Sequence, residues 1–438
     1  MSARRQIARS KSGCLLLCER AEALPLVHVS ISLSRGSATD PEDARGLTRL
    51  MARMLRMGTR QLKAPDVEDR LDSMGAQLSI GVGPGYVHFS AVVVERNVEP
   101  LFALLGQLLG EPALRKADLA RLKRETRAGI AAGYDDDSVL CGRHFRSFIL
   151  PDHAYGRSPV GTARGIGAVD VDALRQQHAR LLTGPSTVVA AAGRLDTGRL
   201  QQLVDTHLGW LPRRAAVADP VGDPSMPRGR RVLIVDKPDR TQAQLLVGTL
   251  GTRARDRDHT ALLVADTAFG GLFTSRLTNE VRAKRGYSYG ANSGFGQQRQ
   301  RDLWSMRTAP ASGDAINCLT LQLSLYDEYV QEGLRAKELS VARDYLRKGV
   351  AFHSDTAAKR VDQRIDVELF GLPRDYHGGF AERVRAVTRS DANAAVARRM
   401  SQRDLSIVLV ATASEVRPKL EQLPGIASVE VVPFDSPA

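Results

Sequence analysis

Residues 170–182, 186–193 and 196–208 read DVDALRQQHARLL, STVVAAAG and DTGRLQQLVDTHL. The middle segment is a short apolar run, which suits a strand buried on both faces. Its flanks read as helices. The same order returns near the end of the chain, in DANAAVARRMS (391–401), LSIVLVAT (405–412) and SEVRPKLEQL (414–423). Two copies of helix, strand, helix, about 220 residues apart, point to internal duplication.

Working outward from each copy extends the match. Before the first lie LVHVSISLS (26–34), which alternates like a strand, and two helical stretches, 44–57 and 64–76. A strand pair follows, QLSIGVG (77–83) and YVHFSAVVV (86–94), then helices over 97–111 and 115–134. Before the second copy lie strands RRVLIVDK (230–237) and AQLLVGTLG (243–251), and helices over 257–269 and 274–285. YSYGANSGFG (287–296) and LWSMRTA (303–309) read as strands, and 312–332, 335–352 and 355–370 as helices. Between the halves, RRAAVADPVGDPSMPRGRR (213–231) has three prolines and few large apolar residues, which is linker composition. The expectation is two homologous α+β lobes, residues 1–215 and 230–438, joined by a linker over 216–229. Each lobe would be a mixed, mostly antiparallel sheet flanked by helices. A two-domain α+β protein without duplication is the plainer alternative.

With 438 residues, 43% hydrophobic and 25% charged, the chain has the composition of an ordinary globular protein. The net charge of +13 is spread along the chain, and no nucleic-acid motif accompanies it. The one basic run, MSARRQIARSK at the start, is short and reads as a frayed end. No apolar stretch reaches the roughly 20 residues of a membrane span, and none follows the basic start as a signal peptide would. The location expected is the cytoplasm. Cys14, Cys18, Cys141 and Cys318 include no C-x-x-C pair and read as buried, inert thiols. The nine histidines are scattered. Cys141 and His144 share a helical spacing, but no second ligand pair follows, so neither reads as a metal ligand.

Residues 46–59, GLTRLMARMLRMGT, form an amphipathic helix of unusual polarity. Arg49, Arg53 and Arg56 fall on one stripe, with Leu47, Leu50, Met51, Met54 and Leu55 opposite. The stretch RGSATDPEDARGLTRLMARMLRMGT (35–59) resembles the pitrilysin/insulinase-type zinc metallopeptidases, which include the mitochondrial processing peptidase. So do residues 150–196 and AFGGLFTSRLTNEVRAKRGYSYGANS (268–293). The resemblance implies paired α+β lobes that form half of a clam-like chamber. In active members this helix carries an inverted zinc motif, H-x-x-E-H. Here the two histidine positions fall on Arg49 and Arg53, and the glutamate position on Ala52. Arginine stays protonated and has no lone pair to offer a metal, and alanine cannot activate water. The third ligand position falls near Gly129 or Ile130 in RETRAGIAAGYDDDS, and neither binds metal. Asp135, Asp136 and Asp137 read as a helix end and loop. The arginine stripe would then be either a solvated face or the lining of a chamber that attracts acidic peptide.

The resemblance also implies a second element, an arginine and a tyrosine seven residues apart. R-A-K-R-G-Y-S-Y supplies Arg282 and Tyr289, with Arg282 ending a helix, Gly286 making the turn and Tyr289 on the next strand. Tyr287 competes for the same role. A guanidinium can hold a peptide carbonyl, and a phenol can donate to the oxyanion formed when water attacks it. The plain alternative is a helix-end arginine and a packed tyrosine. Gly270 and Gly271 look like part of the family's turn before the helix, which implies a substrate-binding role; the plain alternative is a helix interruption. On this reading the chain is the metal-free subunit of a heterodimeric zinc endopeptidase. It would bind no metal itself, the zinc would sit on a homologous partner subunit, and a peptide would be cut. A homodimer fits the same surfaces, and a non-enzymatic peptide-binding scaffold is the alternative of a different class. QLSIGVG would serve either as a sheet edge open to added peptide or as an ordinary paired strand.

Overall fold

The computed structural model describes residues 5–215, 218 and 221–437. Among them are two six-stranded sheets. The first contains β1 (Arg5–Arg9), β2 (Leu15–Arg20), β3 (Leu26–Leu33), β4 (Gln77–Val82), β5 (Val87–Val94) and β6 (Thr187–Gly193), in the order β1-β2-β6-β3-β5-β4. The second contains β7 (Arg230–Asp236), β8 (Gln244–Leu250), β9 (Ala291–Phe295), β10 (Leu303–Thr308), β11 (Leu405–Ala411) and β12 (Ile426–Pro433), in the order β12-β7-β11-β8-β10-β9. Five strands correspond one to one. β2 and β6 pair parallel, as do β7 and β11, and the remaining three pairings in each run are antiparallel. β6 and β11, the apolar runs of the duplicated motif, are buried along their whole length. A strand covered on both faces needs an unbroken apolar sequence, which is what STVVAAAG and LSIVLVAT supply.

The sixth strand differs. β12 runs parallel to β7. β1 is antiparallel to β2, from Arg5 opposite Glu19 to Arg9 opposite Leu15. The basic start is therefore not frayed from Arg5 onward: the turn at Ser10–Cys14 folds it back so that its backbone groups pair with β2. Residues 1–4 lie outside the described residues. β4 is the opposite edge of the first sheet, one of the two alternatives its sequence left open.

The compact units are not the two sequence halves. One comprises residues 1–130, 158–220 and 351–374, and the other 131–157, 221–350 and 375–438. Each half thus lends a helix to the other unit. Helix Asp137–Ile149, from the first half, packs on β8 and β11. Its Phe145 ring fills the space beside Gly248, and the Cys141 thiol approaches the carbonyls of Gln244 and Val408. Helix Ala357–Phe370, from the second half, lays Ala357, Val361, Ile365 and Leu369 on Leu17, Val188, Ala190 and Ala192.

Of the linker, residues 216, 217, 219 and 220 lie outside the described residues. Its later part is fastened to the second unit. Asp223 is held by Arg253 at 2.7 Å and Arg301 at 2.8 Å, and the Gln300 amide donates to the Val221 carbonyl. No described helix is long and apolar enough to cross a membrane.

Candidate functional site

In the first unit the stripe-bearing helix spans Leu47–Leu55, and Asp40 accepts hydrogen bonds from the Gly46 and Thr48 amides at its start. Leu47, Leu50, Met51, Met54 and Leu55 are buried as the periodicity predicts, and Ala52 is buried with them. The three arginines are not one uniform wet face. Arg56 makes a two-pronged pair with Glu68, at 2.7 and 2.6 Å, and donates to the Leu78 carbonyl. Its guanidinium holds the Glu68 carboxyl below the usual range. Arg53 donates to Thr126 Oγ1 at 2.9 Å and Glu125 Oε2 at 3.0 Å, both on helix Lys116–Ala132. Arg49 has no hydrogen bond or ion pair among the described residues, and its Nε is buried without an acceptor. Burial, then the like charge of Arg53, hold its guanidinium below the usual arginine range.

Further along helix Lys116–Ala132, Gly129 faces open space and Ile130 is buried. Asp136 caps the following helix by accepting from the Ser138 and Val139 amides, and Asp137 pairs with Lys237 at 2.5 Å. These acids are helix-end and ion-pair residues, in line with their sequence context. Burial pushes the Cys141 thiol up to about 12 and the Cys318 thiol up to about 11, and it raises Cys14 and Cys18 as well. Thiols so placed are not nucleophiles. Burial, with Arg143 beside it, lowers the His144 imidazole to about 4.

In the second unit the glycine-bearing turn is a wide helical turn, Thr267–Gly271. A Cβ on Gly270 would lie 2.2 Å from Ser293 Oγ, so Gly270 lets the turn close onto β9. Gly271 is exposed, and a Cβ there would be in ordinary contact. Beneath the turn, Asp266 accepts from Ser293 Oγ at 2.5 Å and Trp304 Nε1 at 2.6 Å. Burial raises its carboxyl to about 6. The next helical segment, Arg276–Lys284, is anchored by Arg276, which forms a two-pronged pair with Glu338 and donates to the Gly333 carbonyl. Val281 and Leu277 are buried on its inner side. Gly286, at φ +66°, reverses the chain, and the Tyr287 amide donates to the Val281 carbonyl.

Arg282 and Tyr289 meet across this turn. The Arg282 guanidinium carbon lies 4.5 Å from the centre of the Tyr289 ring and 4.3 Å from that of Phe273. The cation thus lies against two rings, Tyr289 and Phe273, that are 86% and 72% exposed, whereas buried aromatics would signal packing. Among the described residues the guanidinium has no hydrogen bond or ion pair, so its N–H edge is unspent. Tyr289 is not on a strand as expected: β9 begins at Ala291, and Tyr289 occupies the bend before it. Gly286 and Gly290 bracket a segment too irregular to join the ladder. Tyr287, the competitor, packs against the core of its unit. Phe273 was not singled out in the sequence. The only available signal was a large apolar residue in a glycine-rich turn.

Two family models match the chain, Insulinase (peptidase family M16) over residues 16–145 and Peptidase M16 inactive domain over residues 168–346. The chain belongs to peptidase family M16. It is similar to an uncharacterised zinc protease of Mycobacterium tuberculosis, 25% identical across 89% of this chain and 90% of that protein. It is also similar to a Helicobacter pylori protein named a non-peptidase homolog, 20% identical across 90% of this chain and 91% of that one. Among solved structures, a peptidase M16 inactive domain from Pseudomonas fluorescens superposes with a TM-score of 0.87, at 23% identity, covering 93% of this chain and 98% of that one.

An M16 peptidase implies zinc, and the residues here do not fit it. Arg49 and Arg53, which the sequence reading sets at the motif's histidine positions, carry donors only, and Arg53 turns Nη1 to Thr126 and Nη2 to Glu125. Ala52, which the same reading sets at the glutamate position, is buried and has no group to activate water. No group of three or more His, Cys, Asp or Glu among the described residues is arranged to hold a metal ion.

Proposed function

We propose that this M16 chain is the metal-free subunit of a two-subunit zinc endopeptidase, contributing Arg282 and Tyr289 to a site whose zinc is held by a homologous partner. The observation that carries the reading is the exposed Phe273–Arg282–Tyr289 stack. Contact with two aromatic rings restrains a guanidinium and leaves its N–H groups free of protein acceptors among the described residues, an arrangement suited to gripping a peptide carbonyl. The Tyr289 hydroxyl beside it is a donor for the oxyanion that forms on that carbonyl when water adds. Gly270 and Gly271 would lie along the substrate backbone, with Gly270 shaping the turn. The substrate is an unfolded peptide.

The test is co-expression with an M16 chain bearing H-x-x-E-H and assay of peptide cleavage. Tyr289→Phe should lower kcat about a hundredfold, the effect of losing one oxyanion donor, with KM little changed. Equal turnover by the variant would remove Tyr289 from the chemistry. A second reading, a non-enzymatic peptide-binding protein on the same fold, is favoured by the metal-incompetent positions and by the likeness to a protein named a non-peptidase homolog. It predicts peptide binding without cleavage whatever partner is supplied.

A further inference from the structure

The place where M16 peptidases keep a metal holds positive charge here, and that charge is unevenly satisfied. Arg56 and Arg53 each have an acidic partner. Arg49, one turn before Arg53, has none among the described residues. It is half-buried, its Nε is shut away from water without an acceptor among the described residues, and the like charge of Arg53 acts on it. A buried guanidinium nitrogen needs an acceptor, and the group as a whole needs an anion.

We propose that Arg49 and Arg53 form a carboxylate-binding site for peptide, a replacement of cation binding by anion binding at the degenerate zinc position. Arg49 would take the carboxylate first. The outer edge of Arg53 joins it by releasing Glu125, which remains paired to Arg121 Nη1 at 3.0 Å. Glu125 is partly exposed, so the exchange of its partner is inexpensive. The carboxylate is either an Asp or Glu side chain or the free C-terminus of the peptide. The inference rests on the reading that the chain handles peptides, but it does not need cleavage or a partner subunit.

The experiment is fluorescence anisotropy of the isolated full chain at physiological ionic strength. The probes are labelled ten-residue Gly/Ser/Ala peptides with a central Asp or Asn, each with a free or amidated C-terminus. The wild type should bind at least one acid form about tenfold tighter than its neutral counterpart, equivalent to 1.4 kcal/mol. Preference for Asp over Asn identifies a side-chain carboxylate, and preference for the free acid over the amide identifies the chain end. Arg49→Met should reduce the preference to under about twofold, while Arg70→Met, which removes the same charge from an exposed position on helix Ala64–Ser73, should leave it intact. Glu125→Gln, which frees Arg53, should strengthen acid binding. The urea midpoint of Arg49→Met should be unchanged or higher, because an unpaired half-buried cation has been removed. Equal binding of acid and neutral probes, a preference that survives Arg49→Met, or destabilisation by that substitution would overturn the proposal. Failure of the peptidase reading would show separately, as absence of cleavage with a zinc-bearing partner.

Discussion

Phe273 gives the Arg282 guanidinium a second aromatic contact beside Tyr289. An exposed cation–π contact is worth about 0.5–1 kcal/mol, so its purpose is better read in geometry than in stability. Phe273→Ala should change the free energy of unfolding in urea by less than about 1 kcal/mol, yet lower kcat/KM with a zinc-bearing partner about tenfold by freeing the guanidinium to rotate. Phe273→Tyr should restore it. A second residue, Asp266, predicts a pH dependence. Its carboxyl is raised from 3.8 to about 6, so the folded state holds a proton the unfolded state releases. The stabilisation is complete below 3.8 and is lost as pH rises through about 6. Asn would keep the Oδ1 acceptor used by both Ser293 and Trp304. Asp266→Asn should therefore gain in urea midpoint relative to wild type between pH 4 and pH 7. An offset independent of pH would show that Asp266 ionises without penalty.

At the scale of elements, the helix Ala357–Phe370 is tied to its sheet by more than apolar contact. Arg360 reaches Glu19 at 2.7 Å from Nε and 2.6 Å from Nη2, and Glu19 on β2 is completely buried. Removing the cation that binds a completely buried carboxylate through two nitrogens leaves that carboxylate less well compensated. Arg360→Met should destabilise the chain by about 3 kcal/mol or more in urea unfolding. Glu19→Gln with Arg360→Met should recover part of that loss. The segment Arg276–Lys284 obeys similar logic, since the two-pronged Arg276–Glu338 pair fixes the helix that presents Arg282.

For the whole molecule, the duplicated sheets share five strands in one order, and each unit then takes a covering helix from the other half of the sequence. A chain cut at the linker would lose those covers. A fragment spanning 230–438 should unfold at lower urea than one to which residues 131–157 are joined, because Cys141, Phe145 and Ile149 of helix Asp137–Ile149 are buried in the second unit. Equal midpoints for the two fragments would show that the helix is dispensable to that unit.

The sequence by itself determined the two α+β repeats and most of their elements, because the helical and strand periods and the apolar runs of β6 and β11 are local patterns. It also determined that Arg49, Ala52 and Arg53 cannot hold zinc, since that follows from residue chemistry alone. The pairing of Arg5–Arg9 with β2 and the exchange of helices required tertiary structure, because each depends on backbone or apolar surface offered by distant segments. So did the different surroundings of Tyr289, which is exposed, and Tyr287, which packs on the core of its unit. The same holds for Phe273 and for the difference between paired Arg53 and unpaired Arg49. An arginine's sequence neighbours do not say which acceptors the fold will bring within 3 Å of it.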